Sequence, residues 1–210
     1  MLNIIVLVSK EDLAALSAVN LYEECLGDIN DSLFAEQAKK SLLSVTSSRK
    51  IIFVTTKYEA ADYCLADTFN QLDHSAVVCE LHDETKGPIF SALMSLDNLD
   101  LDKPLIIINF CQIGDIKALT DKHLKLDAAK FSAENSSKNS YYFSTASLFV
   151  DAAKDVIRKK YNSEQPLDLA EMLTTSTLAN KRLKHVEVPF DRRNPQAAMH
   201  NIIIDNTVNG

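Results

Sequence analysis

Short apolar runs alternate with amphipathic stretches from the first residue of the chain to about residue 124. Uninterrupted runs of Ile, Leu and Val are typical of strands that are buried on both faces of a sheet. These runs predict strands at Leu2–Val8, Ile51–Thr55, Ala76–Glu80 and Leu105–Phe110. Apolar residues at helical spacing predict helices at Glu11–Leu26, Ser32–Leu43, Tyr58–Leu72, Gly87–Leu96 and Ile116–Leu124. Because strands alternate with helices, we expect βαβ units in a mostly parallel sheet covered on both faces, which is a three-layer α/β fold.

The pattern beyond residue 124 is less regular. Ser132–Ser140 is polar and rich in Ser and Asn, which predicts a mobile loop. The other predicted elements are a short strand at Tyr141–Phe143, helices at Ser147–Tyr161 and Leu167–Leu178, an edge strand at Leu183–Val188, and a final strand or packing segment at Ile202–Ile204. Since neither an internal repeat nor a linker interrupts the pattern, we expect one domain over residues 1–210, with a C-terminal tail from about residue 190.

Composition and charge narrow the class of protein. Hydrophobic residues are 46% and charged residues 24% of the chain, as in ordinary soluble globular proteins. No apolar run approaches the ~20 residues that span a bilayer, and the N-terminal apolar run lacks the basic lead of a signal peptide. We therefore expect no membrane span and a cytoplasmic location. The net charge of −7 disfavours nucleic acid as a partner, because binding to phosphates needs a basic face.

The cysteines and histidines do not form a metal-binding pattern. The four cysteines (Cys25, Cys64, Cys79 and Cys111) are far apart in sequence, so that no CxxC pair exists. The five histidines are equally scattered, and none belongs to an HExxH motif. A zinc site is therefore poorly supported, and reduced thiols are expected.

The strand Leu105–Ile108 runs directly into the polar segment Asn109–Gln112. In open α/β sheets, ligands bind at the carboxyl ends of such strands. In an enzyme that handles nucleoside triphosphates, a carboxylate at this point is expected to hold magnesium. Cys111 stands there instead, and a thiol is a poor ligand for magnesium.

Two further interpretations of this segment are open. Asp115, four residues after Cys111, either supplies the missing oxygen ligand or caps the next helix. Cys111 itself is either a buried free thiol or a nucleophile with His82 or His185 as its base. No feature of the spacing supports the nucleophile.

Several segments together carry a resemblance to a known family. They are Glu84–Pro88, Ser91–Leu93, Lys103–Gln112, Tyr141–Phe143, Ser147–Ala153, Ile157–Lys159 and Asn162–Glu164. In this combination the chain resembles the sugar-phosphate nucleotidylyltransferases, and most of all the small branch tied to capsule and surface polysaccharide synthesis. The resemblance covers roughly residues 1 to 190. It implies a GT-A-like (Rossmann-like) fold of the nucleotide-diphospho-sugar transferase type.

The resemblance also implies a set of site residues. In the family, a glycine-rich loop after the first strand cradles the triphosphate, whereas this chain continues as Ser9-Lys10-Glu11-Asp12 with no glycine before Gly27. Lys10 is either a replacement cation or a plain surface lysine. Thr85 and Gly87 align with the turn beside the nucleobase, Lys86 replaces the expected Glu or Gln of that turn, and Asn109 precedes the metal position.

Three functions are consistent with the sequence. The first is a degenerate, catalytically impaired family member that acts as a binding or partner subunit in polysaccharide synthesis. The second is a divergent active enzyme that joins a nucleoside triphosphate to a sugar phosphate and releases pyrophosphate. It would use Mg²⁺ as cofactor, with Lys10 on phosphate, Thr85 and Gly87 on the base, and Asp115 on the metal. The third is a scaffold that forms a homo-oligomer through its apolar edge.

Overall fold

The computed structural model describes residues 1–13, 40–42, 48–115, 126–133, 139–160, 162–163 and 165–188. Within those ranges, the side chains at positions 71, 72, 111, 114, 115, 133, 187 and 188 lie outside the described part. The strands are β1 (Leu2–Leu7), β2 (Arg49–Thr56), β3 (Val77–Leu81), β4 (Leu105–Asn109), β5 (Ala128–Ala133), β6 (Asn139–Phe143) and β7 (Leu183–Val188). The α-helices are α1 (Lys57–Asp62), α2 (Leu65–Leu72), α3 (Pro88–Leu93) and α4 (Ala146–Lys159), and 3₁₀ helices lie at Leu96–Asn98, Phe110–Asp115 and Leu169–Thr174. No helix among the described residues is long and apolar enough to cross a membrane.

The described strands form one seven-stranded sheet in the order β3-β2-β1-β4-β6-β5-β7. β1 lies parallel between β2 and β4, with Ile5 opposite Ile52 on one side and Ile107 on the other. β6 runs antiparallel to both of its neighbours, and β7 pairs in parallel with β5 at the edge of the sheet. The expected α/β fold with a mostly parallel sheet is confirmed.

Apolar side chains cover both faces of the sheet. On one face, Ile4, Val6 and Phe53 pack with Leu65 and Phe69 of α2. The opposite face packs against α3, α4 and the 3₁₀ helix Leu169–Thr174. The strands are thus buried on both sides, which is why they are continuous apolar runs in the sequence rather than alternating ones.

The predicted helix Tyr58–Leu72 is two helices, because Cys64 breaks it in the left-handed conformation with a φ of 48°. The buried residues Ala60 and Leu65 are five positions apart, which carries a continuous helix about 140° around its axis. The break at Cys64 turns the second helix so that Leu65 and Phe69 are buried as Ala60 is.

Two other predicted elements were wrong. Ser132–Ser140 is not one loop, because its ends belong to β5 and β6; residues 134–138 lie outside the described part. β5 contains three alanines and a lysine, which have low strand propensity, and is held in place by pairing with both β6 and β7. The predicted helix Leu167–Leu178 is a 3₁₀ helix over Leu169–Thr174 only. The Thr174 and Thr175 hydroxyls donate to the carbonyls of Glu171 and Met172 and so compete with helical hydrogen bonds.

Some predicted elements cannot be compared in full. Residues 10–13 and 40–42 are helical, and the rest of the predicted helices Glu11–Leu26 and Ser32–Leu43 lies outside the described residues. The predicted elements Ile116–Leu124 and Ile202–Ile204 lie entirely outside the described residues.

A largely buried ion pair connects the start of β2 to the end of α2. Arg49 Nη2 lies 2.7 Å from Asp73 Oδ2, and the two side chains are 10% and 9% exposed. Burial alone would raise the pKa of Asp73, but hydrogen bonds from Ser75 and the contact with Arg49 outweigh it and lower the pKa. A carboxyl group whose pKa is lowered by folding stabilises the protein above its unfolded pKa of about 3.9, and this contribution is lost as the pH falls through the folded value.

We therefore expect Asp73→Asn to lower the free energy of unfolding at neutral pH by about 2 kcal/mol, less than the ~3–5 kcal/mol of a fully buried broken pair. Urea unfolding at a series of pH values measures this difference, which should shrink below about pH 4. Asp67→Asn, at an exposed aspartate of α2, is the matched control and should have little effect. A difference that stays constant with pH would contradict the assignment.

Candidate functional site

A cavity of about 340 Å³ opens at the carboxyl ends of β1, β2, β3 and β4. This volume is at the lower end of the ~300–1,000 Å³ range of small-ligand sites. Strand order reverses at β1, because β2 and β3 lie on one side of it and β4 on the other. Ligands in open α/β sheets bind at such a switch point.

The described lining of the cavity has three kinds of surface. The floor is apolar and formed by Leu7, Val8, Val54 and Leu81. Hydroxyl and amide groups come from Ser9, Thr55, Thr56, Thr85, Ser91 and Asn109. The charged side chains are Lys10, Glu11, Glu59 and Glu84, so that carboxylates outnumber the ammonium group by three to one.

The junction after β1 is a closed helix cap rather than an open loop. Asp12 Oδ2 accepts hydrogen bonds from the backbone N–H of Ser9 at 3.2 Å and from its hydroxyl at 2.9 Å. The Ser9 hydroxyl in turn accepts a bond from Asp12 N, and Leu13 N donates to Ser9 O. This is a capping box, and its acidic residue, Asp12, is 2% exposed. The N-terminus of the helical segment at residues 10–13 is therefore already occupied by a carboxylate of the chain, that of Asp12.

The junction after β2 repeats the arrangement. Thr56 caps α1, and Glu59 Oε2 accepts bonds from Thr56 N at 3.2 Å, Thr56 Oγ1 at 3.0 Å and Thr55 Oγ1 at 3.1 Å. Glu59 is 6% exposed yet lines the cavity, and its Oε1 has no hydrogen-bond partner among the described residues. A second carboxylate is thus held at the carboxyl edge of the sheet.

The turn before α3 forms another wall. Thr85 Oγ1 donates to Gly87 O at 2.9 Å and lies 2.7 Å from Ser91 Oγ, which closes the turn on itself. Gly87 has a φ of 112°, and a Cβ on it would lie 2.8 Å from the backbone nitrogen of Leu167. Leu167 N donates to Lys86 O at 2.9 Å. The glycine is thus needed for the close approach of a second backbone segment to this turn.

The end of β4 joins a polar network that extends to β6. Asn109 Nδ2 donates to Gln112 Oε1 at 3.3 Å and to Asn139 O at 3.4 Å. Gln112 is buried, and its Oε1 also accepts a bond from Ser140 Oγ. These contacts hold the Asn109 side chain at the rim of the cavity.

Four residues that the sequence singled out, Lys10, Thr85, Gly87 and Asn109, line this one cavity. Lys86 lies in the same turn with an exposed side chain, and it is not among the described lining residues. The side chains of Cys111 and Asp115 lie outside the described part, so their proposed roles stay predictions.

The two histidines considered as bases for Cys111 lie toward opposite ends of the sheet. His82 follows β3 and pairs with Asp83 at 2.8 Å, whereas His185 of β7 lies 2.9 Å from Ser132 Oγ. β3 and β7 are each three strands from β4, or about 14 Å across the sheet. The sheet order gives the nucleophile hypothesis no support.

Glu59 is the functional candidate that sequence reasoning missed. The signal was present, because Thr56 and Glu59 have the S/T-x-x-E spacing of a capping box directly after an apolar run. For a metal, the described residues contain no group of three His, Cys, Asp or Glu side chains that could hold an ion.

No protein-family model matches the sequence, and no curated protein matches it. Solved structures do match. The nucleoside-diphosphate-sugar pyrophosphorylase from Vibrio cholerae has a TM-score of 0.61 at 12% identity, covering 92% of this chain and 93% of its own. The inositol-1-phosphate CTP transferase from T. maritima has a TM-score of 0.59 at 10% identity, covering 96% and 95%. The 4-diphosphocytidyl-2C-methyl-D-erythritol synthase from Anaerococcus prevotii has a TM-score of 0.57 at 10% identity, covering 98% and 96%.

These structures are nucleotidylyltransferases and related proteins, which is the kind of protein that the sequence resemblance predicted. At 10–12% identity, the similarity establishes the fold of this chain and not its activity.

Proposed function

We propose that this chain is a binding or partner subunit with a nucleotidylyltransferase fold, that it binds a small ligand of the nucleotide or nucleotide-sugar class in the cavity, and that it lacks magnesium-dependent nucleotidyl transfer. The observation that carries the proposal is the capped junction after β1. There, Asp12 takes the hydrogen bonds of Ser9 that an open loop would offer to a phosphate.

A polyphosphate site needs exposed N–H groups at a helix start or in a turn. In this chain a triphosphate beside β1 would have to displace the buried carboxylate of Asp12 and would lie close to Glu11. At the neighbouring junction Thr56 N is likewise bonded to a carboxylate of the chain, that of Glu59. Both junctions therefore oppose the binding of a triphosphate.

The role in surface polysaccharide synthesis is part of the proposal and rests on the motifs that resemble that family branch. The fold neighbours include a protein named as a nucleoside-diphosphate-sugar pyrophosphorylase, and this name supports the nucleotide-sugar part of the proposed ligand class. A cytoplasmic location also belongs to the proposal, and so does assembly into a homo-oligomer or with a partner enzyme.

The alternative is a divergent active nucleotidylyltransferase, and one observation favours it. Lys10, Thr85 and Gly87, which that hypothesis places on the phosphates and the base, line the same cavity. It requires Asp115 to bind Mg²⁺ and Lys10 to contact the phosphates.

Thermal unfolding with and without millimolar Mg²⁺ and each nucleoside triphosphate separates the two functions. We expect no magnesium-dependent rise in the melting midpoint, because the carboxylates of Asp12 and Glu59 occupy the amides of Ser9 and Thr56, and because the described residues contain no group of three metal-binding side chains. A ligand at ~100 times its dissociation constant would add ~2.7 kcal/mol, which is easily measured. A magnesium-dependent rise with any triphosphate would overturn the proposal.

Cys111→Asp provides a control for this measurement. If the backbone at the end of β4 has kept the family's metal geometry, the variant should gain magnesium binding while the unaltered chain shows none.

A further inference from the structure

The two outermost strands of the described sheet, β3 and β7, each pair on one side only. Among the described strands, β3 pairs with β2 alone and β7 with β5 alone. β3 contains neither lysine nor proline, the residues that commonly keep an edge strand from pairing with another chain. The side chains of Val77, Val78 and Cys79 are half-buried. The outer side of β3 is therefore suited to a strand from another molecule.

The β3 edge, which consists of Val77–Leu81 and the neighbouring Asp97, is acidic. Glu80 is the charged residue of the strand, and its side chain is exposed. Burial and, in smaller part, the charge of Asp97 raise the pKa of the Cys79 thiol, so that a second carboxylate lies beside the strand. Neither Glu80 nor Asp97 takes part in an ion pair with another described residue.

The β7 edge, at Lys181–Val186, is basic. Lys181 and Lys184 are exposed, and neither lysine is ion-paired within the described ranges. Arg182 is also exposed, and its Nε lies 3.2 Å from Asp127 Oδ2. In a chain with a net charge of −7, this edge thus concentrates positive charge on one strand.

These charges determine which edges are complementary. A two-fold contact places the same surface of both copies together. Pairing of β3 with β3 would bring two acidic edges together, and pairing of β7 with β7 would bring two basic edges together, and like charges on facing strands are destabilising. Pairing of β3 with β7 joins opposite charges instead.

The direction of the strands allows this contact. Because β6 and then β5 each reverse direction, β7 runs parallel to β3. A second copy that continues the sheet with its two faces unchanged therefore presents a parallel β7 to β3. When Lys184 stands opposite Glu80, Leu183 stands opposite Cys79.

Both pairs of this register lie on matching faces of the sheet. Val78 and Val186, which are two positions from Glu80 and Lys184, pack against the same core cluster, so that the two charged side chains share that face. Leu183 is 39% exposed, and contact with the half-buried Cys79 would remove apolar surface from water.

We propose that copies of this chain associate head to tail, with the β3 edge of one copy against the β7 edge of the next. The inference rests on the homo-oligomer of the proposed function and identifies its surface. Because the two edges of a copy are different surfaces, each contact leaves one edge of either kind available. The copies therefore form a ring or an open chain rather than a two-fold dimer.

Sedimentation velocity of the full chain, from micromolar to about millimolar concentration and at low and high salt, measures the association. We expect species larger than a dimer at low salt and smaller species at high salt, because salt screens the charges. A chain that stays monomeric would overturn the inference, even if it binds polyglutamate. A dimer as the largest species at every concentration would overturn it as well.

Charge reversal makes the test specific. Glu80→Lys and Lys184→Glu should each raise the dissociation constant at least about fivefold, because each turns opposite charges into like charges. The double variant should restore association. Lys159→Glu, at an exposed lysine of α4, is the matched control and should leave association unchanged. A double variant no better than the single ones would contradict the pairing of these edges.

Thiol cross-linking tests the register. Leu183→Cys, treated with a short bismaleimide, should give copies linked through Cys79, as identified by mass spectrometry of the digest. This link should be absent when Cys79→Ser is added. A link between two Cys79 thiols in the unaltered chain would indicate a two-fold contact and would overturn the head-to-tail arrangement.

The inference and the proposed function fail in different ways. A monomeric chain would overturn only the association, and the assignment as a ligand-binding protein without nucleotidyl transfer would stand. Binding of a triphosphate that depends on Mg²⁺ would overturn that assignment and would leave the contact between the β3 and β7 edges untouched.

Discussion

Replacing Gly87 by alanine is expected to lower the free energy of unfolding by at least about 3 kcal/mol and to abolish ligand binding in the cavity. Gly87 has φ 112° and ψ 173°, a region that is essentially restricted to glycine and costs other residues of order 1–3 kcal/mol. The added Cβ would also lie 2.8 Å and 2.9 Å from the backbone N and O of Leu167. Because both neighbouring atoms belong to the backbone, the clash cannot be relieved by a side-chain rotation.

Urea unfolding measures the loss of stability in Gly87→Ala, and calorimetric titration with nucleotides and nucleotide sugars measures the loss of binding. Lys86→Ala is the matched control, since it alters an exposed side chain in the same turn and keeps the backbone bond from Leu167 N. Lys86→Ala should change stability by less than about 0.5 kcal/mol. If Gly87→Ala were as stable as that control, the close packing of the turn on Leu167 would be wrong.

Phe69→Ala is expected to cost about 3–5 kcal/mol of stability, as large-to-small changes of buried aromatic residues do. Phe69 is 0% exposed and stacks on Phe53 with ring centroids 3.9 Å apart, and it meets the edge of Phe110 at 5.6 Å. The cavity left behind would lie between α2 and the central strands. Because Phe110 directly follows β4, the loss of this contact should also loosen the segment that leads to Cys111.

Chemical denaturation gives the stability of Phe69→Ala, and Phe69→Leu should fall between it and the unaltered chain because it keeps more of the buried volume. Tyr58→Ala is the control, since Tyr58 is an aromatic residue of the adjacent helix that is 71% exposed. A loss of less than about 1 kcal/mol in Phe69→Ala would show that the site collapses without leaving a cavity, contrary to the close-packed interior of the fold.

The sequence predicted the sheet because its central strands must be apolar on both faces. Runs such as Leu105–Ile108 have no amphipathic period, and only burial between two helical layers explains them. β5 escaped prediction because its position depends on strands that pair with it from distant parts of the chain. The helix break at Cys64 also escaped prediction, because the need for it arises only when Ala60 and Leu65 must both face the core of the folded protein.

The site likewise has features that local sequence patterns indicate and features that depend on contacts between distant segments. Lys10, Thr85, Gly87 and Asn109 come together because the carboxyl ends of parallel strands share an edge, which a sequence pattern can indicate. The reason for glycine at position 87 was not visible, because its neighbour Leu167 lies eighty positions further along the chain. Glu59 could have been found from its local spacing, whereas its place in the cavity wall needed the fold.

The capped junction after β1 has a consequence for how this protein responds to its ligand. A nucleotide-binding loop with unbonded amides is ordered partly by hydrogen bonds to its ligand. The conformation of such a loop therefore differs between the free and the bound protein. Here Ser9 and Asp12, three residues apart, complete the same bonds from within the chain. This corner of the molecule should keep one conformation whether or not anything is bound, so amide hydrogen exchange at Ser9 should be indifferent to every nucleotide offered.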